Sequence, residues 1–131
     1  KEITSLLDDL GHTFQDFGPQ TSDSVDYPDY AQPVSQGVAA GEFDRGILIC
    51  GTGIGMSIAA NKVKGIRCAL VHDVFSAKAT RGHNDSNILA MGERVIGGGL
   101  AREIVKTWLE GEFEGGRHER RISKLSELEN K

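Results

Sequence analysis

Little in this sequence is of the kind that anchors a chain in a membrane or staples it for export. No run of about 18 or more apolar residues occurs, and the opening stretch KEITSLLDDLG lacks the charged-then-apolar order of a secretory signal. Cysteine is scarce. The two, Cys50 and Cys68, are spaced unlike a zinc or CxxC motif, which argues against a disulfide framework or a structural metal. Positive charge is not in excess either: 15 Lys and Arg stand against 19 Asp and Glu, for a formal net charge of −4. No global basic field therefore recruits nucleic acid or an acidic membrane surface. These absences predict a cytoplasmic protein with reduced thiols and a small-molecule partner.

What the chain has is glycine, 17 in 131 residues, and apolar runs separated by helical patterns. The length suits one domain over residues 1–131 with a core around a small sheet. Ile3, Leu6, Leu7 and Leu10 fall at i, i+3, i+4 and i+7 before Gly11, which predicts an opening helix. HTFQDFG reads as a short strand. A polar loop, PQTSDSVDYPDY, leads to a helix with Val34 and Val38 on its apolar face and Gly41 at its end; Pro33 should lie in its first turn or kink it. GILIC reads as a strand buried on both faces and GMSIAANKV as the helix after it. IRCALV and SNILAMG are two more strands, flanking a helical stretch around VFSAKATR. A helix follows with Leu100, Ile104, Val105, Trp108 and Leu109 on one face, then a last one carrying Ile122, Leu125 and Leu128. Such alternation predicts a doubly wound α/β fold with a parallel sheet.

In sheets of this kind ligands bind beyond the C-terminal ends of the strands. Cys50 ends its strand there, and Gly51-Thr52-Gly53-Ile54-Gly55 form the turn into the next helix. Glycines let backbone approach a ligand, and the amides with the helix dipole favour negative charge. The same field is expected to favour the thiolate of Cys50. The pattern equally allows Cys50 as a small buried apolar residue, with glycines serving only close packing. A dinucleotide fingerprint, with Asp73 ~20 residues on as its acidic partner, fits poorly because Met56 stands where the third Gly or Ala belongs.

RGHNDSN places His83, Asn84, Asp85 and Asn87 in a loop before a strand, read as a second part of the ligand end. Arg117 and Arg121, at i and i+4, could grip one phosphate between them or form an exposed charged face. Cys68 reads as core.

Three blocks, CGTGIGMSIAANKVKGIR, RGHNDSNILAMGERV and GGRHERR, in this order and spacing, resemble the type B ribose-5-phosphate isomerases. That family also includes galactose-6-phosphate and allose-6-phosphate isomerases. VDYPDYA and the closing helix agree, so the resemblance spans essentially the whole chain. It implies a Rossmann-like three-layer α/β/α sandwich and a homodimer, or a tetramer, with active sites built from both subunits. It also implies conversion between ribose 5-phosphate and ribulose 5-phosphate through an enediolate, without metal or nucleotide cofactor.

Carried over by position, Cys50 is the base that takes the C2 proton, and His83 the acid that helps open the furanose ring. Gly51, Thr52, Gly53, Ile54 and Gly55 surround the enediolate oxygens, with Thr52 counted among the catalytic groups. Asn84 and Arg94 match substrate-binding positions. Arg117 and Arg121 match a phosphate clamp supplied by the other subunit, on a C-terminal helix of about residues 117–131 that packs on that subunit.

The family's first strand, which ends in an Asp-His pair, has no counterpart here, since the chain begins in the helix that should follow it. The expectation is an incomplete record of a longer chain. RGHND with the basic RHERR segment looks more like the pentose-phosphate enzymes than the galactose-6-phosphate ones. A hexose-phosphate isomerase, or a non-catalytic phosphosugar-binding module using the same loop and arginines, stands as the alternative.

Overall fold

The structure, a computed structural model, describes residues 2–18 and 26–130. Its elements in chain order are α1 (Glu2–Asp9), α2 (Pro28–Ala39), β1 (Gly46–Cys50), α3 (Ile54–Asn61), β2 (Cys68–Leu70), α4 (Val74–Asn84), β3 (Ile88–Gly92), α5 (Gly98–Glu110) and α6 (Arg117–Leu128). The strands form a parallel sheet in the order β1-β3-β2, with Gly46 opposite Ile88 and Cys50 opposite Gly92.

Alternation along β3 divides the core in two, because successive side chains of a strand point to opposite faces. Leu89 and Met91 join Ile3 and Leu6 of α1, Ala77 of α4 and Ile104, Val105 and Trp108 of α5. Ile88 and Ala90 join Leu48 of β1, Ala31, Val34 and Val38 of α2 and Met56 and Ala60 of α3. Helices therefore cover both faces, and the α/β/α sandwich anticipated from the sequence is the fold. Trp108 ties α5 to the turn before β3, its indole N–H donating to Ser86 Oγ at 2.9 Å. Arg45, just before β1, donates to the carbonyls of Trp108 and Leu109 at 3.0 Å each.

The structure corrects several details. The strand buried throughout is β3, not β1, where Ile49 is exposed and Cys50 half-buried. Position explains it: β3 is central, whereas β1 has no neighbour on its other side among the described residues. HTFQDFG forms no strand. Residues 12–18 run along the far wall of a cavity of about 640 Å³ whose near wall is β1 itself, and the segment closes in a turn where Gly18 N–H donates to Asp16 Oδ1. Without a strand beside it, its backbone has no ladder to join.

α2 begins at Pro28, so that Pro33 lies inside the helix rather than in its first turn. Of the residues expected on the inner face of α5, Leu100 is exposed. The apolar side of α6 is largely uncovered, with Leu125 and Leu128 exposed. The loop expected at His83 and Asn84 is the last turn of α4, and the chain leaves that helix through Asp85, whose φ of 47° is left-handed. Among the described residues no helix is long and apolar enough to cross a membrane. Part of the expected polar loop, residues 19–25, lies outside the described residues.

Candidate functional site

Cys50 is the last residue of β1, and the five residues after it turn the chain into α3 beyond the C-terminal end of the sheet. Gly53 is the pivot. Its φ of 79° is left-handed, and a Cβ there would stand 2.7 Å from both Leu70 Cδ1 and the Met91 carbonyl carbon, so only glycine fits. This turn aims the Gly53 N–H at Cys50 Sγ, 3.1 Å away. Ile54 N–H points to Thr52 Oγ1 at 3.2 Å. The thiol thus sits at the positive end of α3 with a backbone donor directed at its sulfur.

The loop after β3 completes the mouth. Glu93 and Arg94 donate their N–H groups to the carbonyls of Cys50 and Gly51, at 2.9 and 3.0 Å. The Arg94 side chain lies against Gly51, where a Cβ would meet its Cδ at 3.5 Å. Gly92 permits this stitching, since a Cβ there would be 2.6 Å from the Thr52 backbone. Two residues at this mouth escaped the sequence reading. The ring of Tyr27 lies over Gly55, where a Cβ would be 2.5 Å from Tyr27 Cζ. Gly92 N–H donates to His72 Nε2 at 2.8 Å, which fixes that nitrogen as an acceptor. Tyr27 stands in the quoted VDYPDYA, the signal that could have found it; His72 gave none, because its partner is a distant backbone amide.

His83, Asn84, Arg117 and Arg121 are not at this mouth. They gather at the other end of the sheet: α4 ends just before β3 begins, and β3 then runs about 13 Å, at 3.3 Å per residue, to reach Gly92 beside Cys50. Sequence proximity to a strand was misread there, because a loop before a strand lies at its N-terminal end.

At this second locus the His83 ring stacks on that of His118, with centroids 4.3 Å apart and planes within 12°. Glu114 spans the pair, its oxygens 3.9 Å from His83 Nε2 and 3.7 Å from His118 Nε2. Arg117 and Arg121, one turn apart at the start of α6, are exposed and make no ion pair among the described residues. Burial first, then the charges of His83 and Arg117, hold the His118 imidazole below its ordinary 6.5.

Among the described residues, His83, Glu114 and His118 are the group whose donor atoms, all within 4.8 Å, could approach a metal ion. The ring stacking suits this poorly. A tetrahedral ion needs lone pairs that converge in the imidazole planes, and near-parallel rings direct theirs side by side.

The rival readings of the loop can be weighed on the same geometry. Asp73 does not wait for a ribose: it caps α4, accepting from Ser76 N–H at 2.6 Å and Ser76 Oγ at 2.8 Å, and these bonds hold its carboxyl below the usual carboxylate range. Cys68 packs against the core under α3, and burial pushes its thiol up to about 12, so it carries no thiolate chemistry.

The parallel sandwich is a Rossmann-like α/β fold, and it presents the cysteine at a helix N-terminus beyond its strand ends, where folds of this class bind ligands. Residues 1–125 match the Ribose/Galactose Isomerase family. A Bacillus subtilis protein, YwlF, is 70% identical across 99% of this chain and 88% of its own length. Ribose-5-phosphate isomerase B of Escherichia coli is 48% identical over 99% and 87%. A D-erythrulose-4-phosphate isomerase of Pectobacterium atrosepticum is 44% identical over 98% and 85%. Among solved structures, ribose-5-phosphate isomerase B of Clostridium thermocellum has a TM-score of 0.97 at 53% identity, covering 98% of this chain and 87% of that one. The chain belongs to the ribose/galactose isomerase family, and it is an isomerase.

Proposed function

We propose that the protein interconverts ribose 5-phosphate and ribulose 5-phosphate, with Cys50 moving a proton between C2 and C1. As thiolate, Cys50 takes the C2 proton of the open-chain aldose, the electron pair shifts toward C1, and an enediolate forms. Return of the proton to C1, with the O2 hydroxyl proton passing to O1, leaves the carbonyl at C2 and gives the ketose. Stabilising the oxygens on which negative charge develops falls to the loop Gly51-Thr52-Gly53-Ile54-Gly55 at the N-terminus of α3. The observation that carries this reading is the Gly53 N–H directed at Cys50 Sγ from the head of a glycine loop, at 3.1 Å.

Ring opening falls to His83, with Asn84 and Arg94 as sugar contacts and Arg117 and Arg121 as the phosphate clamp. Since His83 and the clamp lie at the opposite end of the sheet from Cys50, one chain does not assemble the site. A homodimer does: one protomer gives Cys50, its loop and Arg94, and its partner gives His83, Asn84, Arg117 and Arg121. The exposed apolar side chains Ile54 and Ile58 of α3, Phe75 of α4 and Leu125 and Leu128 of α6 offer surface for such an association, with the 117–131 helix reaching across. Two free thiols fit a working place in the cytoplasm.

The test is ribulose 5-phosphate formation from ribose 5-phosphate without added metal, for the parent beside Cys50→Ala. The expected result is activity in the parent and a loss of 10³-fold or more in the variant, on the order of removing a catalytic base. Unchanged turnover in Cys50→Ala would sink the assignment. Running allose 6-phosphate and galactose 6-phosphate beside it decides between the pentose and hexose readings.

A further inference from the structure

The cluster around His83 holds more than a ring-opening acid requires by itself. Its members come from three parts of the chain: His83 from the last turn of α4, Glu114 from the connection between α5 and α6, and His118 from the first turn of α6. Each is anchored. Glu114 N–H donates to the Gly82 carbonyl at 3.0 Å, beside His83 in sequence. Its carboxylate lies so close over Gly82 that a Cβ there would be 2.6 Å from Oε2. His118 is buried, at 8% exposure, while His83 is half exposed. Gly115 and Gly116, with φ of 70° and 59°, make the sharp turn that brings Glu114 and His118 together.

We propose that Glu114 and His118 are positioning residues for His83. The His118 face fixes the plane of the His83 ring, and the Glu114 carboxylate holds one of its nitrogens and leaves the other to the sugar. The inference rests on the reading of His83 as the ring-opening acid. At 3.7 and 3.9 Å the carboxylate is not yet hydrogen-bonded to either ring; such contacts in free enzymes are often long and tighten when substrate binds. The groups facing His118 are His83 from α4, Glu114 from the preceding loop and Arg117 and Arg121 from its own helix; burial, His83 and the two arginines lower its pKa, and Glu114 works against them. His83 is the half-exposed member of the pair, with the Glu114 carboxylate 3.9 Å from its Nε2.

The experiment separates ring opening from proton transfer at carbon. Ribose 5-phosphate is a closed furanose and must be opened. Ribulose 5-phosphate, whose C5 oxygen is phosphorylated, has no hydroxyl that can close a five-membered ring on C2. Exchange of its C1 hydrogen with D2O, followed by NMR, needs substrate binding and proton transfer at Cys50 but no ring opening. We expect Glu114→Ala and His118→Ala to lower kcat on ribose 5-phosphate about tenfold or more, with C1 exchange within about twofold of the parent. His118→Phe, which keeps a stacking face, should recover most of the loss.

His83→Asn is the reference for the reading beneath. If it shows the split and the Glu114 and His118 variants do not, the positioning inference falls alone. If His83→Asn slows both reactions equally or neither, the ring-opening reading falls with it. A parallel loss of both reactions in Glu114→Ala and His118→Ala would mark a merely structural role and overturn the inference.

Discussion

The two cysteines show how far surroundings, rather than residue type, decide chemistry. Cys50 ends a strand at the mouth of the site with an amide aimed at its sulfur, and Cys68 lies against the core with its thiol pushed up to about 12 by burial. At pH 8 a thiol of that pKa is thiolate in roughly one molecule in ten thousand. Iodoacetamide should therefore modify Cys50 and spare Cys68, with activity falling in step with the first label, as peptide mass spectrometry can check. Equal labelling of the two would contradict the burial of Cys68. The sequence made Cys68 core and gave Cys50 a reason to be reactive, because strand ends and glycine turns are local patterns. Tyr27 and His72 were not legible, since what places them at the mouth is a ring over Gly55 and an amide of Gly92, both far along the chain.

At the scale of elements, the turn between α4 and β3 carries more stability than its length suggests. Ser86, at 1% exposure, holds the buried indole N–H of Trp108. Ser86→Ala leaves that donor without a partner, and should cost about 1–3 kcal/mol in a denaturant titration. The start of α6 adds a pH dependence. His118 has a folded pKa below its ordinary 6.5, so as pH falls through 6.5 the unfolded chain takes up a proton that the fold resists. Stability should drop on that side and be insensitive to this group above it; His118→Phe should flatten the acid side of a Tm-against-pH curve. The helices and the three strands were readable from period and glycine stops. The strand at HTFQDFG was not realised, because a strand needs a neighbour to complete its ladder and the segment has none beside it among the described residues.

For the whole molecule, the decisive feature is the distance between its two candidate loci. Cys50 with its glycine loop stands beyond one end of the sheet, while His83, Arg117 and Arg121 stand near the other. If two subunits complete each site, Cys50→Ala and His83→Asn homodimers are both impaired, yet a mixed dimer contains one site with neither substitution. Exchanging the two variants at equal concentration should restore about a quarter of the parent activity, from half the dimers having half their sites intact. No recovery, with subunit exchange verified by a mass tag, would contradict a site shared between two subunits.

The sequence by itself determined the class of fold, the cysteine and glycine turn, and the family, because each is written in contiguous residues: a period, a φ that only glycine tolerates, a block of motif. Only the tertiary structure decided which strand is central, that His83 closes a helix rather than lining a loop, and that the site residues fall into two separate groups. Those depend on the order of strands in the sheet and on which end of each strand a connection leaves, which pairing between distant segments sets and no local pattern records.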